Sequence, residues 1–425
     1  TADNKVATYG TALGQSVSVS GLANSDSVDS VVYTYAGSGA TSYSASATRP
    51  TAVGGYSVTP SSVVLSAGSS SNYSFNYVAG TATINKKGIT VTGSSPTVLY
   101  GASVPTITPI YSSDFAYGET SSVVSNTACS TVYAVTSNVG SAPATSCSGA
   151  TASNYSFTYV DGSVNVQKKT LTVTASSPSA TYGVAASTIT VTPLYSNWAN
   201  SDTSSVIDTA PTCSTAFTNT SAVGSAPYTR CSGGSDNNYS FSFVDGAVLV
   251  GAATVTITAE NKTAIYGTAL GQSISVSGLA NSDSVDSVVY TYAGSGSTSY
   301  TASTTRPTAV GGYSITPSAV VLAVGALSNY SFNYVAGTAT INKKGITVTG
   351  SSPTVLYGAS VPTITPLYSS DFAYGETSSV VSNTACSTVY AVTSNVGSAP
   401  ATSCSGATAS NYSFSYVDGS VNVQK

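Results

Sequence analysis

The Tyr-Gly pairs at Tyr9-Gly10, Tyr100-Gly101, Tyr182-Gly183, Tyr266-Gly267 and Tyr357-Gly358 recur at spacings of 91, 82, 84 and 91 residues. Each is followed by a Val-Gly, at Val53, Val139, Val223, Val310 and Val396, and then by an Asn-Tyr-Ser, at Asn72, Asn154, Asn238, Asn329 and Asn411. Markers that keep their order through five copies define one unit used five times, and a unit of this length can form its own small domain. The larger period is 257 residues: residues 1–168 and 258–425 differ at 15 positions, so the chain reads A, B, C, A, B. The expected units are 1–86 (A, without its first strand), 87–168 (B), 169–251 (C), 252–343 (A) and 344–425 (B). AATVTI at 252–257 is the strand that has no counterpart ahead of Thr1.

Composition narrows what such an array does. Hydrophobic residues make up 41%, enough for ordered cores. Charged residues make up only 7%, against about 25% in ordinary domains. The exposed faces must then be Ser, Thr, Asn, Gly and Tyr. A net charge of -4 offers no basic patch for phosphate, which argues against nucleic acid. No apolar run is long enough for a membrane-spanning helix. With no His the commonest metal ligand and general base are missing, so no cofactor, metal site or catalytic residue is expected. Thr1 at the start and a chain without Met fit a window from a longer exported protein.

Within a unit the pattern is β. TLTVTA at 170–175, STITVTPLY at 187–195 and NYSFTYV at 154–160 alternate β-branched or aromatic residues with small polar ones. Tyr155, Phe157 and Tyr159 share a face, read as core in preference to a stacking platform. Ala79-Gly80, Asp161-Gly162 and Asp245-Gly246 follow as hairpin turns with positive φ at both central residues. LANSDSVDSV from Leu22, FAYGETSSVV from Phe115 and WANSDTSSVI from Trp198 read as a short helical turn whose acids, Asp26, Glu119 and Asp202, cap free amides. A Ca²⁺ ligand is the alternative, but such a site needs six to eight oxygens. Trp198 replaces Leu22 and Phe115 and reads as a core anchor, with a sugar platform as the alternative.

Cys129 and Cys147, Cys213 and Cys231, and Cys386 and Cys404 are each 18 residues apart, one pair per B or C unit and none in A. Without His these read as disulfides and not as zinc ligands. Each bridge would add roughly 3 kcal/mol on the chain-entropy model and places the chain in an oxidising compartment outside the cytoplasm. At INKKGITV and VNVQKKTLTV the closing strand of one unit runs directly into the next, so the junction cannot swivel freely. Lys86, Lys87, Lys168, Lys169, Lys343 and Lys344 mark these junctions, as protection against edge pairing or, alternatively, as isopeptide donors. Asn-Tyr-Ser also fits a glycosylation acceptor, but its place before the aromatic strand favours a structural role.

The Tyr-Gly after an ITVTGSSP-type strand, the GET or NSD turn, the Val-Gly and the closing NYSFTYVDGSVNV together resemble the bacterial MBG-type adhesin repeat of the YGX subtype. The cysteine pairs and the longer middle of A lie outside that pattern. The resemblance implies small, mainly β domains, β-grasp-like or immunoglobulin-like, in large surface-attached or secreted proteins, and carries no catalytic residues. The expected function is a rod or fibre segment of a bacterial adhesin at the cell surface or outside the cell, associating with neighbouring repeats or identical chains. The alternative is a glycan- or mucin-binding module using exposed tyrosines. The expected shape is a row of five domains, on the order of 130 to 200 Å long by compact-domain scaling.

Overall fold

A computed structural model describes all 425 residues. The second repeat shows how a unit is built. Its first strand, Lys87–Gly93, pairs in parallel with the aromatic strand Tyr155–Val160 and antiparallel with Pro109–Tyr111. The chain then bends through Ser94-Ser95-Pro96, where proline has no N–H to offer a ladder. Past the bend, Thr97–Leu99 takes a different partner, pairing in parallel with the closing strand Asn165–Gln167. The long connection that parallel pairing requires carries the cysteine hairpin, Ala128–Thr131 against Ala144–Ser148. Cys129 and Cys147 face each other across that ladder and are joined, as are Cys386 and Cys404 in the fifth repeat. Cys213 and Cys231 are also disulfide-bonded. The chain is mainly β, a tandem series of small sheets with only short 3₁₀ turns.

The A repeats replace the cysteine hairpin with two long antiparallel strands. Ser284–Ser295 and Gly311–Val324 pair with register shifts near Val285 and Ser287, and the second of them continues the sheet to Gly337–Asn342 and Lys262–Ile265. Ala253–Ala259 forms a separate sheet between Ile274–Ser277 and Tyr330–Val335.

Several local expectations are corrected. The Asp-Gly pairs are not hairpin turns, because neither Asp161 nor Gly162 has positive φ and the strands on either side pair with different partners. Gly162–Ser163 instead pairs with Ala144–Ser148. Glycine is needed there for close approach, since a methyl group at Gly162 would lie 2.3 Å from the Gly93 carbonyl oxygen. STITVTPLY is not one strand: Ala186–Thr188 is a 3₁₀ turn and only Pro193–Ser196 pairs. The acid-bearing segment is helical at Ser121–Val123, Ser204–Val206 and Ser378–Val380, but in the A repeats it leads straight into Ser27–Ser38 and Ser284–Ser295.

The cores do not stop where the repeats do. Ile89, Ala116 and Tyr155 of the second repeat belong to one cluster with Tyr9, Tyr35, Tyr56 and Ile84 of the first. Leu171, Ala199 and Tyr239 join Tyr100, Tyr133 and Val166 in the same way. Val255, Ile257 and Tyr330 join Tyr182, Phe217 and Val250, and Ile346, Ala373 and Tyr412 join Tyr266, Tyr313 and Ile341. By contact density the chain divides into two compact units. The first holds Thr1–Thr174, Pro193–Thr212 and Cys231–Val244; the second holds Ala175–Thr192, Cys213–Arg230 and Asp245–Lys425. That division falls inside the third repeat and at none of the four repeat boundaries.

Candidate functional site: the joint between repeats

The recurring markers converge on one place. Tyr9 lies at the end of the first repeat's Lys5–Thr8 strand, and its ring meets the edge of Tyr155 in the second repeat, centroids 5.4 Å apart at 81°. The Tyr9 and Tyr155 hydroxyls donate to the two carboxylate oxygens of Glu119, at 3.1 and 2.5 Å. The Tyr155 oxygen in turn accepts the Ala116 N–H at 2.8 Å. Asn154, the first residue of Asn-Tyr-Ser, accepts the N–H of Val53 from the first repeat's Val-Gly at 3.2 Å. Lys86 donates to the Ala152 carbonyl at 3.0 Å. The Tyr-Gly and Val-Gly of the first repeat thus meet the acid-bearing turn and the Asn-Tyr-Ser of the second.

The same joint forms three more times. Tyr100 meets Tyr239 edge-on at 5.5 Å, Tyr182 meets Tyr330 at 5.4 Å, and Tyr266 meets Tyr412 at 5.4 Å. The acids are Asp202, which accepts from Tyr239; Asp283, which accepts from Tyr182 and Tyr330; and Glu376, which accepts from Tyr266 and Tyr412. Asn238, Asn329 and Asn411 accept the N–H of Val139, Val223 and Val310. Lys168 and Lys343 donate to the carbonyls of Asp236 and Ala409. A buried aromatic pair is worth about 0.5–1.5 kcal/mol beyond its area, and hydrogen bonds to a charged acceptor about 1.5–3 kcal/mol. The aromatic pair and the asparagine bond cross the boundary at all four joints, and a tyrosine–carboxylate hydrogen bond crosses it at three.

The glycine after each tyrosine makes room for the next repeat. Gly10, Gly101, Gly183 and Gly267 have φ between +77 and +90, where a side chain costs about 1–2 kcal/mol. A methyl group on them would come within 2.5, 2.3, 2.2 and 2.5 Å of the Cβ atoms of Ala116, Ala199, Ala280 and Ala373. The alanine belongs to the turn that carries the acid, so tyrosine and glycine dock on the same element.

These geometries correct three readings. The acids do not cap a helical turn: Thr120 accepts the Ser122 N–H there, and Glu119 is taken by the tyrosine hydroxyls. Of the junction lysines, Lys86, Lys168 and Lys343 donate to carbonyls of the neighbouring repeat, whereas Lys169 donates to the Trp198 carbonyl of its own. The aromatic stripe is core only at its start, since Tyr155 is 2% exposed whereas Tyr159 is 39% exposed. Trp198 packs edge-on against Tyr239 at 5.4 Å, within the joint cluster. Burial and the Glu119 carboxylate push the Tyr155 hydroxyl up to about 12. Tyr330 and Tyr412 rise to about 12 for the same reasons, with Asp283 and Glu376 as the acids. Tyr239, beside Asp202, is raised further.

Fold and joint together define a tandem array of small, mainly β domains that share cores at their boundaries. The chain belongs to the MBG domain (YGX type) family, which matches residues 1–83, 89–165, 171–249, 255–340 and 346–422. No curated protein matches it. Among solved structures it is similar to the N-terminal four Ig domains of Dscam1 isoform 4.44, at 8% identity and a TM-score of 0.20 over 66% of this chain and 82% of that one. It is also similar to the N-terminal eight Ig domains of DSCAM isoform 1.30.30, at 10% identity and 0.18 over 99% and 68%. Drosophila N-cadherin EC1-4 is similar at 8% and 0.17 over 99% and 98%. Likeness at these TM-scores carries no argument about this chain. No helix is long and apolar enough to cross a membrane.

Proposed function

We propose that the chain is a stalk segment of a large bacterial surface or secreted adhesin, built from the repeats 1–86, 87–168, 169–251, 252–343 and 344–425 and serving a non-enzymatic role outside the cell. The observation that carries this reading is the joint. Four boundaries use one constellation of tyrosine, glycine, acid and asparagine to fuse neighbouring cores, which is what a segment needs if it is to hold a distant domain away from a surface. The disulfides in B and C support the extracellular placement, and family membership supports the adhesin context. Association with identical chains follows from the low charge of the faces, which opposes contact weakly. Solution scattering tests the stalk: the expected maximum dimension is on the order of 130 to 200 Å, and a compact particle would overturn the reading.

Glycan binding would have to use the exposed rings, among them Tyr117, Tyr228 and Tyr374. Tyr117 and Tyr374 pack edge-on against joint residues Tyr9 and Tyr266, which favours the structural role. A glycan array showing binding that is lost when these rings are replaced would reverse that preference.

A further inference from the structure

The four joints differ in one place, the turn that carries the acid. In the second and fifth repeats it reads Tyr-Gly-Glu, at 117–119 and 374–376; in the third and fourth it reads Asn-Ser-Asp, at 200–202 and 281–283. Its first residue is left-handed in every case, with φ of +53, +54, +49 and +54. Asparagine adopts that backbone readily, whereas a tyrosine there is strained and needs a contact to hold it. The contact lies across the boundary. The Tyr117 and Tyr374 rings, each 59% exposed, meet Tyr9 and Tyr266 of the preceding A repeat edge-on at 5.3 Å.

The asparagines dock on a different group. The Asn200 amide donates to the Val135 carbonyl at 2.9 Å and the Asn281 amide to the Asn219 carbonyl at 2.8 Å, each in the preceding repeat. Val135 and Asn219 stand four residues before the Val-Gly of a B and a C repeat. The same places in the A repeats hold Arg49 and Arg306, which donate to Gln15 and Gln272 of their own repeat. Acid length follows the same division. Glu119 spans two hydroxyls, taking Tyr9 on one oxygen and Tyr155 on the other, and Glu376 does the same with Tyr266 and Tyr412. The shorter Asp202 accepts from Tyr239 of its own repeat, and Asp283 takes Tyr330 at 2.6 Å and Tyr182 more weakly at 3.3 Å.

We propose that this turn is an order code for the array. The docking face of an A repeat selects a repeat bearing Tyr-Gly-Glu, which is a B. The faces of B and C repeats, which offer a carbonyl, select a repeat bearing Asn-Ser-Asp, which is a C or an A. An asparagine behind an A face loses the ring contact and gains no carbonyl; a tyrosine behind a B or C face forfeits the amide bond and keeps the backbone strain. The neighbours A–A, A–C, B–B and C–B are thereby disfavoured. The stalk reading needs only that joints form, so the two readings fail separately. The test exchanges the turns in the 425-residue chain: Tyr117→Asn with Gly118→Ser and Glu119→Asp at the first joint, and Asn200→Tyr with Ser201→Gly and Asp202→Glu at the second. Hydrogen exchange is read at the amides of Val53 and Val139, which donate across these boundaries to Asn154 and Asn238. Exchange should accelerate at least tenfold at Val53 in the first variant and at Val139 in the second, with the cysteine hairpins at 128–148 and 212–232 unchanged. Backbone preference acting alone would instead slow exchange at Val53 in the first variant. Unchanged or slower exchange at either valine, or acceleration that reaches the hairpins, would overturn the proposal.

Discussion

The second and fifth repeats differ only at Ile110/Leu367 and Thr158/Ser415, yet their Tyr-Gly pairs live in different surroundings. Both repeats form the same strands and the same disulfide, and Tyr133 and Tyr390 are each 4% exposed. Tyr100, which has a following repeat to dock on, is 8% exposed, whereas Tyr357 is 57% exposed and nothing lies within 4 Å of a methyl group placed at Gly358. Gly358 nevertheless keeps φ at +85. The repeat therefore presets the dipeptide's conformation without using it for its own core. The residues that name this family type are joint residues, and their contribution appears only across a boundary.

This contrast can be broken by paired substitutions, read as opening free energies from native-state hydrogen exchange. Tyr100→Ala empties a shared core and should cost about 3 kcal/mol, while Tyr357→Ala should stay within about 0.5 kcal/mol; equal effects would remove the distinction. Gly358→Ala pays only for its left-handed backbone, about 1 kcal/mol. Gly101→Ala adds a clash with Ala199, so its cost should exceed that of Gly358→Ala by about 1–3 kcal/mol. Asn238→Ala leaves the Val139 N–H without its acceptor and should cost about 1–2 kcal/mol, whereas Asn72→Ala should be nearly silent.

An alkaline titration sharpens the same comparison at lower amplitude. The joint tyrosines Tyr155, Tyr330 and Tyr412 are held neutral, their folded values raised from 10.0 to about 12. Their contribution is fully present below pH 10 and is lost as pH rises toward 12. The melting temperature should fall across that window, and a flat profile up to pH 12 would contradict the burial of these hydroxyls.

The sequence made the period, the β content and the cysteine spacing legible because each is a local or repeated pattern. The joint was not legible, although the tyrosine, glycine, acid and asparagine that build it stand out in the repeat, because its partners lie far apart: Tyr9 and Glu119 are separated by 110 positions. A period-two aromatic stripe says that Tyr155 is buried but not that it is buried against another repeat. Local turn rules misled at Asp161-Gly162, where the glycine serves close packing, and at Glu119, where a tyrosine hydroxyl outcompetes the amides. Two signals pointed to the joint: the absence of any linker at INKKGITV, and a glycine fixed after a tyrosine that no hairpin required.

The most direct test of the central claim places the perturbation in one repeat and the readout in the next. Tyr100→Ala lies in the second repeat, while the amides of Ala199 and Asp202 in the third are held by the Tyr239 hydroxyl and the Ala199 carbonyl. If the repeats share cores through their joints, hydrogen exchange at Ala199 and Asp202 should accelerate at least tenfold in that variant. Acceleration confined to residues 87–168, with the third repeat unchanged, would contradict it.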